Sequence, residues 1–99
     1  MSARRQPETA ILRAVSGYLR VRGYFVVRMQ QGLGCHKGLA DLVVMKDGRT
    51  IWVEVKTPTG RLSAWQDGFR QAVSNAGCEY IVVRSLDDAI AMSGEKWPA

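Results

Sequence analysis

The feature that most constrains the fold is a pair of apolar segments, residues 40–45 and 50–57, joined by the tetrapeptide KDGR. Each segment is long enough for a strand, and an Asp-Gly pair between apolar segments is a strong signal for a β-hairpin. Counting outward from the centre of this turn pairs residue 43 with 52 and Asp41 with Glu54. The chain must therefore accommodate two carboxylates that face each other at one end of an apolar hairpin.

Helix and strand patterns surround the hairpin in a definite order. Residues 7–22 predict a helix, with Pro7 at its first position, Gly23 at its stop and apolar residues at helical spacing. Residues 24–30 are rich in β-branched and aromatic side chains and predict a strand. A glycine-rich loop, residues 31–39, follows it.

The second half of the chain predicts a helix, a strand and a short helix. Ser63-Ala64-Trp65-Gln66 has the form of a capping box, and Gly77 ends the helix that it starts. Residues 80–83 form a short apolar run, as expected of a strand buried on both faces. Ser85 can cap a last helix through Met92. The second helix is expected to bury one stripe, made of Trp65, Phe69, Ala72, Val73 and Ala76.

Together these elements predict a single α/β domain over residues 1–99, in the order α-β-β-β-α-β-α. The first three strands can pair as an antiparallel meander. The second helix then crosses over in the usual right-handed sense and places the fourth strand parallel to the third. The expected result is a mixed four-stranded sheet flanked by helices. Trp52 is expected in the core, whereas core and interface positions both stay open for Trp97.

Composition favours a polyanionic partner. The chain has 14 Lys and Arg against 9 Asp and Glu, a net charge of +5 and a pI near 9.7. Such an excess suits nucleic acid, although many basic proteins are merely kept soluble by their charge. No apolar run approaches the ~20 residues that span a bilayer. We therefore expect a cytoplasmic protein without membrane contact, and its two cysteines fit a reducing compartment.

The facing carboxylates suggest a metal site. Like charges placed opposite each other in a sheet are destabilising, and a divalent cation between Asp41 and Glu54 is the simplest compensation. Lys56 lies on the same strand face as Glu54 because side chains alternate along a strand. Glu8, at the start of the first helix, can point toward the same cluster. Carboxylate oxygens beside a lysine suit Mg²⁺ or Mn²⁺ rather than zinc.

These residues resemble a known nuclease signature. Gly38-Leu39-Ala40-Asp41, followed after a turn by Glu54-Val55-Lys56, resembles the split motif of PD-(D/E)XK nucleases, which have the restriction-endonuclease-like core. With Glu8, Gln66 and the segment IVVR at 81–84, the chain is more narrowly similar to VRR-Nuc domains, including stand-alone phage versions. Ala40 departs from the pattern, because the family often has proline before the aspartate.

The resemblance implies metal-dependent phosphodiester hydrolysis in DNA. Asp41, Glu54 and the Val55 carbonyl would hold the metal, with Glu8 acting directly or through water. Lys56 would orient the attacking water or stabilise developing negative charge. Stand-alone members suggest branched DNA such as four-way junctions, cut by a homodimer whose symmetry supplies one site per strand.

The remaining site assignments are those of the second helix and of nucleic-acid contacts. Gln66 is a candidate catalytic residue, although it can equally be only the reciprocal half of the capping box. The loop residues His36 and Lys37 lie just before Asp41 and are candidates to contact a phosphate backbone. Arg61 is a third candidate for nucleic-acid contact.

Blander interpretations stay open. Glu8 can simply complement the helix dipole, and Asp41 and Glu54 can be solvated strand ends with Lys56 as a neutralising neighbour. The domain can also be a catalytically silent nucleic-acid-binding module, or an assembly protein whose carboxylates are incidental. Cys35, His36 and Cys78 lack the paired spacing of a zinc site. Gly32 and Gly34 precede a strand instead of a helix, unlike a dinucleotide-binding loop.

Overall fold

A computed structural model describes residues 7–94, so that Trp97 lies outside the described residues. The order α-β-β-β-α-β-α is confirmed. The elements are α1 (Glu8–Val21), β1 (Phe25–Arg28), β2 (Leu42–Lys46), β3 (Arg49–Val55), α2 (Ala64–Asn75), β4 (Glu79–Val83) and α3 (Leu86–Met92). No helix between residues 7 and 94 is long and apolar enough to cross a lipid bilayer.

The four strands form one mixed sheet in the order β1-β2-β3-β4. β1, β2 and β3 pair antiparallel, and β4 pairs parallel to β3, as the crossover through α2 predicts. The hairpin register is confirmed, since Met45 pairs with Thr50 and Val43 with Trp52. Asp47 and Gly48 have φ values of 53° and 78°, the positive values that a tight two-residue hairpin turn requires.

Local signals set the helix ends. Gly23 follows α1 with a φ of 93°, which glycine adopts without strain. Ser63 accepts a hydrogen bond from the Gln66 backbone while the Gln66 side chain accepts one from the Ser63 backbone, so the predicted capping box is present. Ser85 caps α3 by accepting from the Asp88 backbone.

The sheet separates two apolar clusters. The larger one joins α1, α3 and one face of all four strands, and it includes Ile51, Val53 and Val55 of β3. The smaller one joins the opposite face to α2 through Ala40, Phe69 and Val73, with Trp52 and Tyr80 packed against them. Because side chains alternate along a strand, Glu54 and Lys56 belong to the α2 face.

Two expectations about burial are wrong. Only Phe69 and Val73 of the α2 stripe are buried, whereas Trp65 is 61% exposed and Ala72 and Ala76 are also exposed. The stripe is narrow because a single pair at i and i+4 meets the sheet. The fourth strand is also less buried than predicted: it is an edge strand, and only Val83 of its five residues is buried.

Candidate active site

The site lies where β2 begins and β3 ends, on the face of the sheet that α2 covers. Asp41 immediately precedes β2, while Glu54 is the penultimate residue of β3 and Lys56 follows that strand. The β2–β3 ladder ends at the pair Leu42 and Val53, which sets Asp41 beside Glu54 at the next step. The hairpin therefore brings the Asp41 carboxylate together with a carboxylate 13 positions later and a lysine 15 positions later in the sequence.

Glu54 is the centre of the site. Only 2% of its surface is exposed, which is exceptional for a carboxylate. Its Oε2 accepts a hydrogen bond of 3.2 Å from Gln66 Nε2 and lies 3.9 Å from Lys56 Nζ. Its Oε1 is buried and has no hydrogen-bond partner among the described residues. One carboxylate oxygen is thus held by protein groups, while the other is available to a ligand.

Asp41 is fixed by the neighbouring strand. Its Oδ2 accepts a hydrogen bond of 2.8 Å from the backbone N–H of Val55, while its own carbonyl accepts one from Met29. The side chain is only half-buried and lines the same cleft as Glu54. The Asp41 carboxylate consequently faces both Glu54 and solvent.

The pKa of Glu54 reflects this crowding. Burial raises it most, the charge of Asp41 raises it further, and the nearby Lys56 ammonium lowers it only in part, so that it reaches about 8. Desolvation and a like charge both disfavour the ionised form. In the absence of a cation, the Glu54 carboxyl group therefore keeps its proton at neutral pH.

The donor set fits a hard divalent cation. A cation beside the partnerless Glu54 Oε1 would satisfy that oxygen and remove the repulsion between Glu54 and Asp41. Among residues 7–94, no three Asp, Glu, His or Cys side chains are grouped closely enough to hold an ion by themselves. The remaining ligands would then be the Val55 carbonyl and water, which suits Mg²⁺ or Mn²⁺ because these ions usually retain several waters.

Glu8 and the glycine-rich loop form the walls of the cleft. The cleft has a volume of about 640 Å³ and is lined by Glu8, both carboxylates, loop residues 31–35 and the start of α2. Glu8 is exposed and its charge contributes least to the raised pKa of Glu54. This position places Glu8 at the entrance, where contact through water fits better than direct ligation.

The three predicted nucleic-acid contacts differ in their surroundings. Lys37 lines the cleft, and its Nζ lies 4.6 Å from the ring centre of Trp65 in a cation–π contact. His36 is exposed, although its ring meets Phe69 edge-on at 5.3 Å and its Nδ1 contacts the Lys37 carbonyl at 2.9 Å. Arg61 is exposed and does not line the cleft.

The structure adds residues that sequence reasoning missed. Arg84 donates to the carbonyls of Thr57 and Gly60 at 2.8 and 2.6 Å, so it fixes the turn that follows Lys56. The hydroxyl of Tyr80 is buried without a partner among the described residues. Its burial, and then the charge of Glu54, raises the pKa of Tyr80 above its usual range. The sequence contains no local signal for the hydrogen bonds of Arg84 or the burial of the Tyr80 hydroxyl, because both depend on contacts between residues that are distant in sequence.

Gln66 completes the capping box and also contacts the candidate site. Its Oε1 accepts from the Ser63 backbone at 2.8 Å, which completes the capping box, and its Nε2 donates to Glu54 at 3.2 Å. The start of α2 is thereby tied directly to the carboxylate. A single amide side chain can do this because it offers a separate acceptor and donor.

Comparison with known proteins identifies the family of the chain. The family model described as the VRR-NUC domain matches residues 17–87. The chain belongs to the VRR-NUC domain family. No curated protein sequence matches the chain.

Two solved structures share the fold of this VRR-NUC domain. One, described as a VRR_NUC domain, has a TM-score of 0.75 at 17% identity and covers 91% of this chain and 97% of its own. The other, described as a VRR_NUC domain protein, has a TM-score of 0.76 at 15% identity, with coverage of 92% and 88%. At such low identity the agreement establishes the shared fold, a mixed α/β arrangement consistent with restriction-endonuclease-like proteins.

Proposed function

We propose that this nuclease-family domain is a Mg²⁺- or Mn²⁺-dependent endonuclease that hydrolyses phosphodiester bonds in DNA. The observation that carries the proposal is the buried Glu54 carboxylate, with one oxygen held by Gln66 and Lys56 and the other without a partner. Removing a polar group from water without a partner is costly, so a buried oxygen of this kind calls for a ligand.

The residues divide the work of the reaction. Asp41, Glu54 and the Val55 carbonyl would hold the metal, with Glu8 acting through water. A bound ion would supply Lewis-acid stabilisation of the phosphate and a lowered pKa for the attacking water. Lys56 is 9% exposed, and its ammonium, in this partly dehydrated position, stabilises the negative charge that develops on the scissile phosphate. Gln66 keeps Glu54 oriented.

The substrate that we propose is branched DNA, such as a four-way junction, cut by a homodimer. The net charge of +5 and the exposed Lys37 beside the cleft suit a polyanion. A two-fold symmetric pair of sites suits a symmetric branched substrate that needs one cut in each of two strands.

The experiment is Mg²⁺- and Mn²⁺-dependent cleavage of a labelled panel: a four-way junction, a flap, a splayed arm and a linear duplex. Glu54→Gln and Lys56→Met are expected to lower the rate by about 100-fold or more, as losses of groups that stabilise charge in a transition state do. Asp47→Asn is the matched control. It also removes one carboxylate, but at the turn of the hairpin, and asparagine tolerates the positive φ of 53° found there.

Cleavage that persists in Glu54→Gln would show that the activity does not come from this site. A wild-type protein that binds the junction in EDTA yet cuts no DNA in either metal would instead establish the catalytically silent binding module.

A further inference from the structure

A second concave surface lies between α1 and the edge strand β1. It is a groove of about 370 Å³, and its lining includes Arg13 and Arg20 of α1 and Arg28 of β1. Arg13 and Arg20 are seven residues apart, which places them on one side of the helix, roughly 10 Å apart along its axis. Arg28 lies on the same face of the sheet as the buried Val26, the face that α1 covers.

The three arginines have no anionic partner among residues 7–94. All are exposed, and none forms an ion pair or a hydrogen bond with any residue between 7 and 94. Other arginines of the chain are already engaged: Arg49 contacts Glu79 at 2.7 Å and Arg70 contacts Asp67 at 2.6 Å. The groove therefore concentrates positive charge that no ion pair among the described residues neutralises.

This groove is linked to the candidate active site through residues that line both surfaces. A small cavity of about 90 Å³ shares Thr9, Leu12 and Arg28 with the groove and also contains Glu8 and Asp41. Glu8 and Asp41 in turn line the main cleft with Glu54. The Arg28 end of the groove therefore lies at the same end of the sheet as the two carboxylates, so that an extended chain can pass around this end from the α1 face to the α2 face.

Gly17 leaves the backbone of α1 open toward the groove. It lies in the interior of α1 and lines the groove, and a Cβ added to it would meet nothing within 4 Å. Glycine inside a helix costs about 0.8–1.0 kcal/mol relative to alanine, and no contact within the described chain requires it here. Close approach of a ligand to the backbone is one of the situations in which glycine is used.

We propose that this groove, defined by Arg13, Arg20 and Arg28, binds the sugar–phosphate backbone of DNA, with each guanidinium contacting one phosphate. Arginine is suited to this role because its planar fork matches phosphate geometry. The bound strand runs past Arg28 toward Asp41 and Glu54. That this strand is the one cut there rests on the nuclease function proposed above, whereas the binding itself does not.

The test is the salt dependence of binding in EDTA, where no cleavage interferes. Fluorescence anisotropy of a labelled four-way junction and a labelled linear duplex gives the slope of log K against log salt concentration. Each of Arg13→Gln, Arg20→Gln and Arg28→Gln is expected to make the slope shallower by about 0.9, and the triple variant by about 3. Affinity at low salt should fall severalfold per substitution.

Two controls separate phosphate contact from general charge and from folding. Arg49→Gln removes the same charge from the far end of the sheet, where Glu79 already neutralises it, and should leave the slope unchanged. The triple lysine variant of the three groove positions keeps the charge and should retain a slope close to that of the wild type. Thermal unfolding of each variant establishes that it is folded.

A triple glutamine variant with the wild-type slope would overturn the proposal, as would a wild-type protein that binds neither probe. If the triple glutamine variant differs from the wild type in mass by light scattering but keeps the wild-type slope, the groove binds a second copy of the chain. That result also overturns the proposal. The two proposals fail separately. Loss of slope without any cleavage by the wild type removes only the nuclease, and cleavage with an unchanged slope removes only the groove.

Discussion

Glu54 links the stability of the protein to pH. Its pKa rises from 4.5 to about 8 in the folded protein because of burial and the charge of Asp41. The folded state therefore holds a proton that the unfolded chain releases at a lower pH. The resulting stabilisation is fully present below about pH 4.5 and is lost as the pH rises through about 8.

We expect the unfolding free energy of the wild type in EDTA to fall between about pH 5 and about pH 9, by an amount on the order of a few kcal/mol. The melting temperature should fall with it. Glu54→Gln, which keeps the shape but cannot ionise, should flatten this profile. Differential scanning fluorimetry across the pH range measures it. Equal slopes in wild type and variant would contradict the assignment of the raised pKa.

Metal binding should show the opposite pH dependence. A carboxylate must lose its proton to act as a ligand, so the affinity for Mn²⁺ is expected to rise as the pH approaches the Glu54 pKa of about 8. The increase in melting temperature caused by Mn²⁺ should therefore be larger near pH 8 than near pH 6. Glu54→Gln should abolish the increase, whereas Asp47→Asn should retain it. A pH-independent increase in both the wild type and Glu54→Gln would indicate a different metal site.

At the scale of elements, Gly38 fixes the glycine-rich loop against α2. Its φ is 79°, and a Cβ there would overlap the backbone carbonyl of Trp65. Gly34 offers a matched control, since its φ is 87° but a Cβ would meet nothing within 4 Å. Gly34→Ala should cost about 1–2 kcal/mol of unfolding free energy through backbone strain alone.

Gly38→Ala is expected to cost clearly more, because the loop must also move away from the start of α2. The same movement displaces Lys37 and the wall of the cleft, so nucleic-acid binding should weaken as well. Urea unfolding of the two variants gives the comparison. Equal losses of stability would mean that the loop accommodates the added methyl group without moving.

The capping box of α2 allows its structural and catalytic parts to be separated. Ser63→Ala removes the cap but leaves the Gln66 amide opposite Glu54, so it should cost about 0.5–2 kcal/mol of stability and retain most of the cleavage rate. Gln66→Ala should lower both. Ser85→Ala removes the cap of α3, which does not line the cleft, and serves as the control for stability. Full activity in Gln66→Ala would reduce its role to capping.

Local patterns predicted the elements well, whereas contacts between elements needed the structure. The hairpin register follows from Asp47 and Gly48 alone, and this register brings Asp41 to Glu54. By contrast, Trp65 was expected in the core because its spacing to Phe69 is helical. It lies instead in the first turn of α2, against the loop and under Lys37. Helical spacing gives the direction of a side chain but not which element lies opposite.

The groove shows the same limit. Arg13 and Arg20 are visible in the sequence as a pair seven residues apart, yet basic residues on a helix are ordinarily a solvated face. Their meeting with Arg28 depends on the packing of α1 against the edge strand. Likewise, no sequence pattern identifies which oxygen of Glu54 lacks a partner, because that depends on Gln66 and Lys56 together.

At the scale of the whole molecule, β1 is an edge strand, and no other strand within residues 7–94 pairs with its outer side. Val21 and Phe25, at the end of α1 and the start of β1, are 84% and 64% exposed. Exposed strand edges and large apolar side chains are both features that association covers. The proposed homodimer is therefore expected to use the Phe25 end of this edge. This end lies away from Arg28 and Asp41.

Light scattering tests this arrangement. The wild type should have twice the chain mass of 11.0 kDa, either free or on a four-way junction. Phe25→Ser should shift it toward the monomer, whereas Leu33→Ser, which changes an even more exposed apolar side chain in the loop, should not. Because a symmetric junction needs a site for each of two strands, Phe25→Ser should also change paired cuts into single nicks. A wild type that stays monomeric both free and on the junction would remove the dimer, and the domain would then cut one strand at a time.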